Sequence, residues 1–155
     1  MRHTIISTTL TLVLSAGLSA PIAAEPSAED AYEYRESIMT ALKGHAGAIS
    51  RQARGLAGDS DYVANHAKAI ANLGTELHTI FQEGSNIEDS EALAAIWDKP
   101  EKFAEALANA EDAMAALGEV ADGGDMEAIG NAFMNVGEAC KGCHDSFREE
   151  HEHEH

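Results

Sequence analysis

Cys140-Lys141-Gly142-Cys143-His144, near the C-terminal end of the chain, is the stretch on which its reading turns. Two thiols three positions apart, followed at once by a histidine, make the C-x-x-C-H spacing of c-type haem attachment. In that chemistry the thiols add to the two porphyrin vinyl groups and the histidine offers an axial nitrogen to iron. The flanks from Asn131 to Arg148 lack proline and space their apolar residues as a helix does, at Phe133, Val136, Cys140, Cys143 and Phe147. On a helix Cys140 and His144 stand one turn apart, with Cys143 on the same side. Both thioethers and the iron ligand then reach one porphyrin from a single face.

Other uses of two cysteines fare worse. An iron–sulfur cluster needs four ligands. A zinc site needs a second ligand pair at finger-like spacing, and none is apparent. A thioredoxin-like pair wants a βαβ setting, and the chain has no strand pattern. A structural disulfide would leave His144 without a role. Covalent haem c is the cofactor to expect.

The N-terminus agrees. Met1-Arg2-His3 is a short basic start, Ile5 to Leu18 is apolar, and Ala20 to Ala24 supply small residues for cleavage. This is the pattern of a secretory signal over residues 1–24, too short to anchor a helix in a bilayer. The expected compartment is the bacterial periplasm, where covalent haem is installed, with no membrane insertion of the mature chain.

Beyond Ala24 nine Lys and Arg face 27 Asp and Glu, a net charge of −18. Such a surface excludes nucleic acid and anionic membranes as partners and favours a basic protein surface. Alanine is abundant and β-branched residues are few, which points to an all-α fold. Residues 25–150 suit one domain with a single core.

Four amphipathic segments follow in order. Ser27-Ala28-Glu29-Asp30 starts the first in the manner of a capping box. Its stripe is Ala31, Tyr34, Ile38, Leu42, Ala46, Ile49 and Ala53, and Gly55 stops it. Asp59 or Ser60 should cap the second, which carries Val63, Ala67, Ile70, Leu73, Leu77 and Ile80 and ends at Gly84. A long connection with a short turn over Ala92 to Trp97 leads to the third, entered at Pro100 and lined by Phe103, Leu107, Ala110, Met114 and Leu117. Asp125 caps the fourth, which holds the haem motif. These predict an antiparallel four-helix bundle with covalently attached haem c.

The whole of residues 25–150 resembles the cytochromes c′. The matching residues are Tyr34-Arg35 with Met39 four positions on, Ile96-Trp97 before Phe103, and Cys-Lys-x-Cys-His-x-x-Phe-Arg from Cys140 to Arg148. The resemblance implies a bundle with haem near one end, often a homodimer. It implies His144 as the proximal iron ligand, Arg35 as the partner of a haem propionate, and Met39 on the distal side. The tail from His151 to His155 is outside that pattern. Its alternating His and Glu either hold a divalent metal or form a solvated end.

The residues alone support the pairing of roles. Arg35 and Met39 share a helical face, and a planar guanidinium suits a carboxylate edge while a thioether suits an apolar one. Met39 either packs against the distal face, leaving a five-coordinate iron, or bonds it as a sixth ligand. The first geometry suits small diatomic gases such as NO and CO. The second suits electron transfer to a redox partner protein. A peroxidase would want a polar acid or base over the iron. Ile38, Met39 and Leu42 make that region apolar, so the expectation is a haem protein that is not an enzyme. His45, His66 and His78 read as ordinary helix histidines, and Lys141 as a local positive charge for docking.

Overall fold

The computed structural model describes residues 25–57 and 62–150. The expected signal segment, the tail and the Asp59 or Ser60 cap lie outside the described residues. Among the described residues there are five α-helices: α1 (Ala28–Ala53), α2 (Val63–Gly74), α3 (Ala95–Asp98), α4 (Pro100–Gly123) and α5 (Met126–Phe147). The four long ones form an antiparallel bundle, in which α1 packs on α2, α2 on α4 and α4 on α5. Among the described residues no helix is long and apolar enough to cross a membrane.

Local chemistry explains the boundaries. The Ser27 hydroxyl accepts from the Asp30 amide at 3.1 Å while the Asp30 carboxylate accepts from the Ser27 amide at 3.3 Å, closing a capping box on α1. Gly55, at φ +67°, takes the left-handed conformation that lets the chain leave α1. Pro100 opens α4 at a position whose amide has no helical acceptor. Asp125 caps α5, accepting from the amides of Glu127 at 2.9 Å and Ala128 at 3.3 Å.

Two expectations need correction. The second helix does not run unbroken to Ile80: it ends at Gly74 and resumes as a 3₁₀ turn over Leu77–Thr79. The hydroxyls of Thr75 and Thr79 donate back to the carbonyls of Asn72 and Glu76, both at 2.8 Å, which competes with continued α-helix. Leu77 and Ile80 stay buried all the same. In α1 the inward stripe passes through Arg35, 2% exposed, rather than Tyr34, 50% exposed, whose hydroxyl donates to the Glu76 carboxylate two residues beyond the end of α2.

The α2–α4 seam is tight. A Cβ built on Gly118 would lie 2.6 Å from the Ala71 Cβ, and one on Gly74 would lie 2.9 Å from the Met114 sulfur. Ala71 has no flexible end to swing away, so the helices must part. Gly118→Ala should cost a net ~1–2 kcal/mol, overpacking outweighing the gain in helix propensity. Gly44, in α1, has nothing within 4 Å of its built Cβ. Gly44→Ala should therefore stabilise, by ~0.5–1 kcal/mol. Denaturant titration of the two variants checks the opposite signs.

Candidate haem site

The first and last long helices, α1 and α5, make no extensive contact with one another. A cavity of about 450 Å³ lies between them, within the ~300–1,000 Å³ of ligand pockets. From α5 it is lined by Val136, Cys140, Cys143, His144 and Phe147, and from α1 by Arg35, Met39, Leu42 and Ala46. The helical spacing explains both walls. Cys140, Cys143 and His144 fall on one face of α5, while Arg35 and Met39 fall on one face of α1, so two motifs more than a hundred residues apart confront each other. Ile70, Phe103, Leu107, Ala110 and Met114 form an apolar floor. The exposed Glu36, Thr40 and Lys43 line the α1 rim.

Neither thiol is primed for redox work. Burial raises the pKa of both, and the neighbouring Cys140 adds to the effect at Cys143, which is pushed up to about 11. A catalytic C-x-x-C pair needs the reverse, a thiol made acidic by nearby positive charge. His144 is held below its ordinary value, first by loss of hydration and then by Arg148, with Asp145 and Glu91 opposing. A neutral imidazole keeps a lone pair for a metal.

Arg35 anchors the closed end. Its guanidinium donates to the Ser85 hydroxyl at 2.7 Å, the Ser85 carbonyl at 3.1 Å and the Ser90 hydroxyl at 3.0 Å. The Tyr32 and Phe81 rings flank it, with centroids at 5.6 and 5.4 Å. All three hydrogen-bond acceptors are neutral, so a buried cation stands at the cavity wall with no carboxylate among them. Burial lowers its pKa, against Glu36 and Tyr32, yet an arginine stays charged at any ordinary pH. The aromatic sequence continues edge to face from Phe81 to Phe103, centroids 4.8 Å apart, and from Phe103 to Phe147, 5.1 Å apart.

Residues 85–93 form a strap across this end. Besides Arg35, α1 holds it through the Tyr32 hydroxyl, which donates to the Asp89 carbonyl at 3.2 Å. The end of α5 holds it through the Leu93 amide on the Phe147 carbonyl at 2.9 Å and the Glu149 amide on the Glu91 carbonyl at 2.8 Å. Arg148 adds an ion pair to Glu91, its Nε donating at 2.6 Å. Sequence reasoning missed Ser85, Ser90, Glu91 and Phe81. The only hint was a polar, aperiodic stretch after Gly84.

Residues 30–148 match the family model for Cytochrome C′. The chain belongs to the cytochrome c′ family. The cytochrome c′ of Pararhodospirillum photometricum is 36% identical over 118 residues, spanning 76% of this chain and 94% of that protein. The cytochrome c′ structure from Rubrivivax gelatinosus superposes with a TM-score of 0.74 at 32% identity, covering 79% of this chain and 97% of the other. A ferrous variant of Alcaligenes xylosoxidans cytochrome c′ with bound NO superposes at 0.72 with 28% identity, covering 80% and 97%.

Members of the cytochrome c′ family carry covalently bound haem c, and the residues here fit that group. Two half-buried thiols and an imidazole share one wall, the floor is apolar, and the buried guanidinium hydrogen-bonds to no carboxylate. Other singled-out residues lie apart from it. Lys141 is engaged by Asp145 one turn along α5, which blunts its expected docking charge. Trp97 packs against the core, as expected of a residue closing the long connection. His78 meets Glu111 at 3.3 Å, and His45 meets His66.

Proposed function

We propose that this chain is a periplasmic c-type haem protein that binds a small neutral diatomic gas, or passes single electrons, without turning over a substrate. The observation that carries this is the apolar cavity with Cys140, Cys143 and His144 on one wall and Met39 on the other. Bound haem c supplies an iron that changes oxidation state and accepts a small axial ligand. Cys140 and Cys143 would hold the haem to α5 through thioethers, and His144 would supply a nitrogen to its iron. Arg35 would pair with its carboxylates through a desolvated guanidinium, where a charge-assisted bond is strong. Met39, Leu42 and Ala46 would exclude water on the α1 side.

The lining of α1 has no histidine or arginine deep in that face to serve a peroxide, since Arg35 is committed to the strap. Slow, unsaturable oxidation of a reducing dye by hydrogen peroxide is the expected result, and rapid saturable turnover would reverse it. Export by cleavage near Ala24 accords with the family resemblance, and the homodimer it implies has exposed apolar groups available at Tyr34, Leu56 and Tyr62.

A second reading, six-coordinate His/Met iron, draws on the thioether that Met39 presents to the cavity. Absorption spectra of the oxidised protein and of Met39→Ala separate the two. The five-coordinate reading expects no sulfur–iron charge-transfer band toward the red and prompt CO uptake by the reduced protein. A band lost in the variant sinks it.

A further inference from the structure

Outside the haem site, α1 and α2 meet at a pair of histidines. The Nδ1 atoms of His45 and His66 lie 2.8 Å apart, their rings tilted by 51° with centroids 5.1 Å apart. Both are partly buried, and their Nδ1 atoms face each other at hydrogen-bond distance. An imidazole pair meeting this way satisfies one hydrogen bond at most, because one ring must donate and the other accept. The same approach fits a metal. Two nitrogens on adjacent corners of a square-planar centre with bonds of about 2.0 Å sit about 2.8 Å apart, whereas a tetrahedral centre holds them about 3.3 Å apart.

We propose that His45 and His66 form a two-imidazole site for a tetragonal divalent cation, Cu²⁺, joining α1 to α2, with water in the remaining positions. Binding needs no redox step. The donor ring moves its proton from Nδ1 to Nε2, and both Nδ1 lone pairs then face the cation. Neither His45 nor His66 lines the cavity between α1 and α5, so the pair is separate from the haem site.

Any copper held by the tail can be told apart, because the spacing of His151, His153 and His155 in the sequence does not depend on the packing of α1 on α2. The His45–His66 site exists only when α1 and α2 are packed. A ligand that binds only the folded state raises its melting temperature, and one that binds both states equally does not. The experiment uses the full haem-loaded protein, in which both thiols are consumed. Cu²⁺ should raise its melting midpoint by several degrees, with no rise from Mg²⁺. His45→Gln and His66→Gln should each abolish the rise and lower bound copper by one equivalent in equilibrium dialysis. An absent rise in the unsubstituted protein overturns the site without recourse to variants. So does an equal rise, or equal copper stoichiometry, in either variant that keeps its Soret band and cooperative melting.

Discussion

Replacing Cys140 and Cys143 together with alanine should leave no haem attached after acid–acetone extraction, and most of the native thermal transition should vanish with it. The reason is the size of what is missing. The cavity between α1 and α5 measures about 450 Å³, and unfilled volume costs ~24 cal/mol per Å³ in a core. The product, on the order of 10 kcal/mol, is an upper bound because water can enter an open site. It still matches the ~5–15 kcal/mol that holds a whole domain together. The other contacts of the site cannot offset it, since α1 and α5 do not pack on each other. Calorimetry of the haem-free double variant decides the matter: a cooperative transition at the original temperature would mean the bundle stands without its cofactor.

Arg35→Ala carries the second large effect. The substitution removes the donor from Ser85 and Ser90, which are 1% and 9% exposed, and from the Ser85 carbonyl. The Ser85 carbonyl is left without that donor, whereas the Ser85 hydroxyl keeps its bond to the Gln82 carbonyl and the Ser90 hydroxyl still accepts from the Ala92 amide, so the expected cost is about 1–3 kcal/mol. Amide exchange should quicken at Ser90 and Ala92 before it quickens in the helices. Arg35→Lys should recover little, because one ammonium cannot span both serines as a planar fork does. Full recovery by lysine would show that charge alone matters there.

Much of the site was legible before any coordinates, because its chemistry is written at short range. Cys140, Cys143 and His144 declare their shared face by spacing alone, and Arg35 and Met39 do so one turn apart. The capping box at Ser27 and the cap at Asp125 are equally local. What escaped depends on partners distant in sequence. The apolar stripe counted Tyr34 inward, and nothing local signals that Arg35 is held there by Ser85 and Ser90, 50 and 55 residues away. The break after Gly74 belongs to hydroxyls that a hydrophobic stripe does not register. The encounter of His45 with His66 depends on how α1 and α2 dock.

The strap also has a kinetic meaning. The α1–α2 and α4–α5 pairs are hairpins of adjacent helices, whose contacts are short in sequence and quick to form. The strap instead joins residues 50 to 57 positions apart, as at Arg35–Ser85 and Glu91–Arg148, and such closures carry more loop entropy and come later. If the strap closes after the hairpins, the cysteines of α5 would face an open trough in the interval and a flat macrocycle could be brought to them sideways; once the strap has joined α1 to α5, the same entry would require several hydrogen bonds to break together.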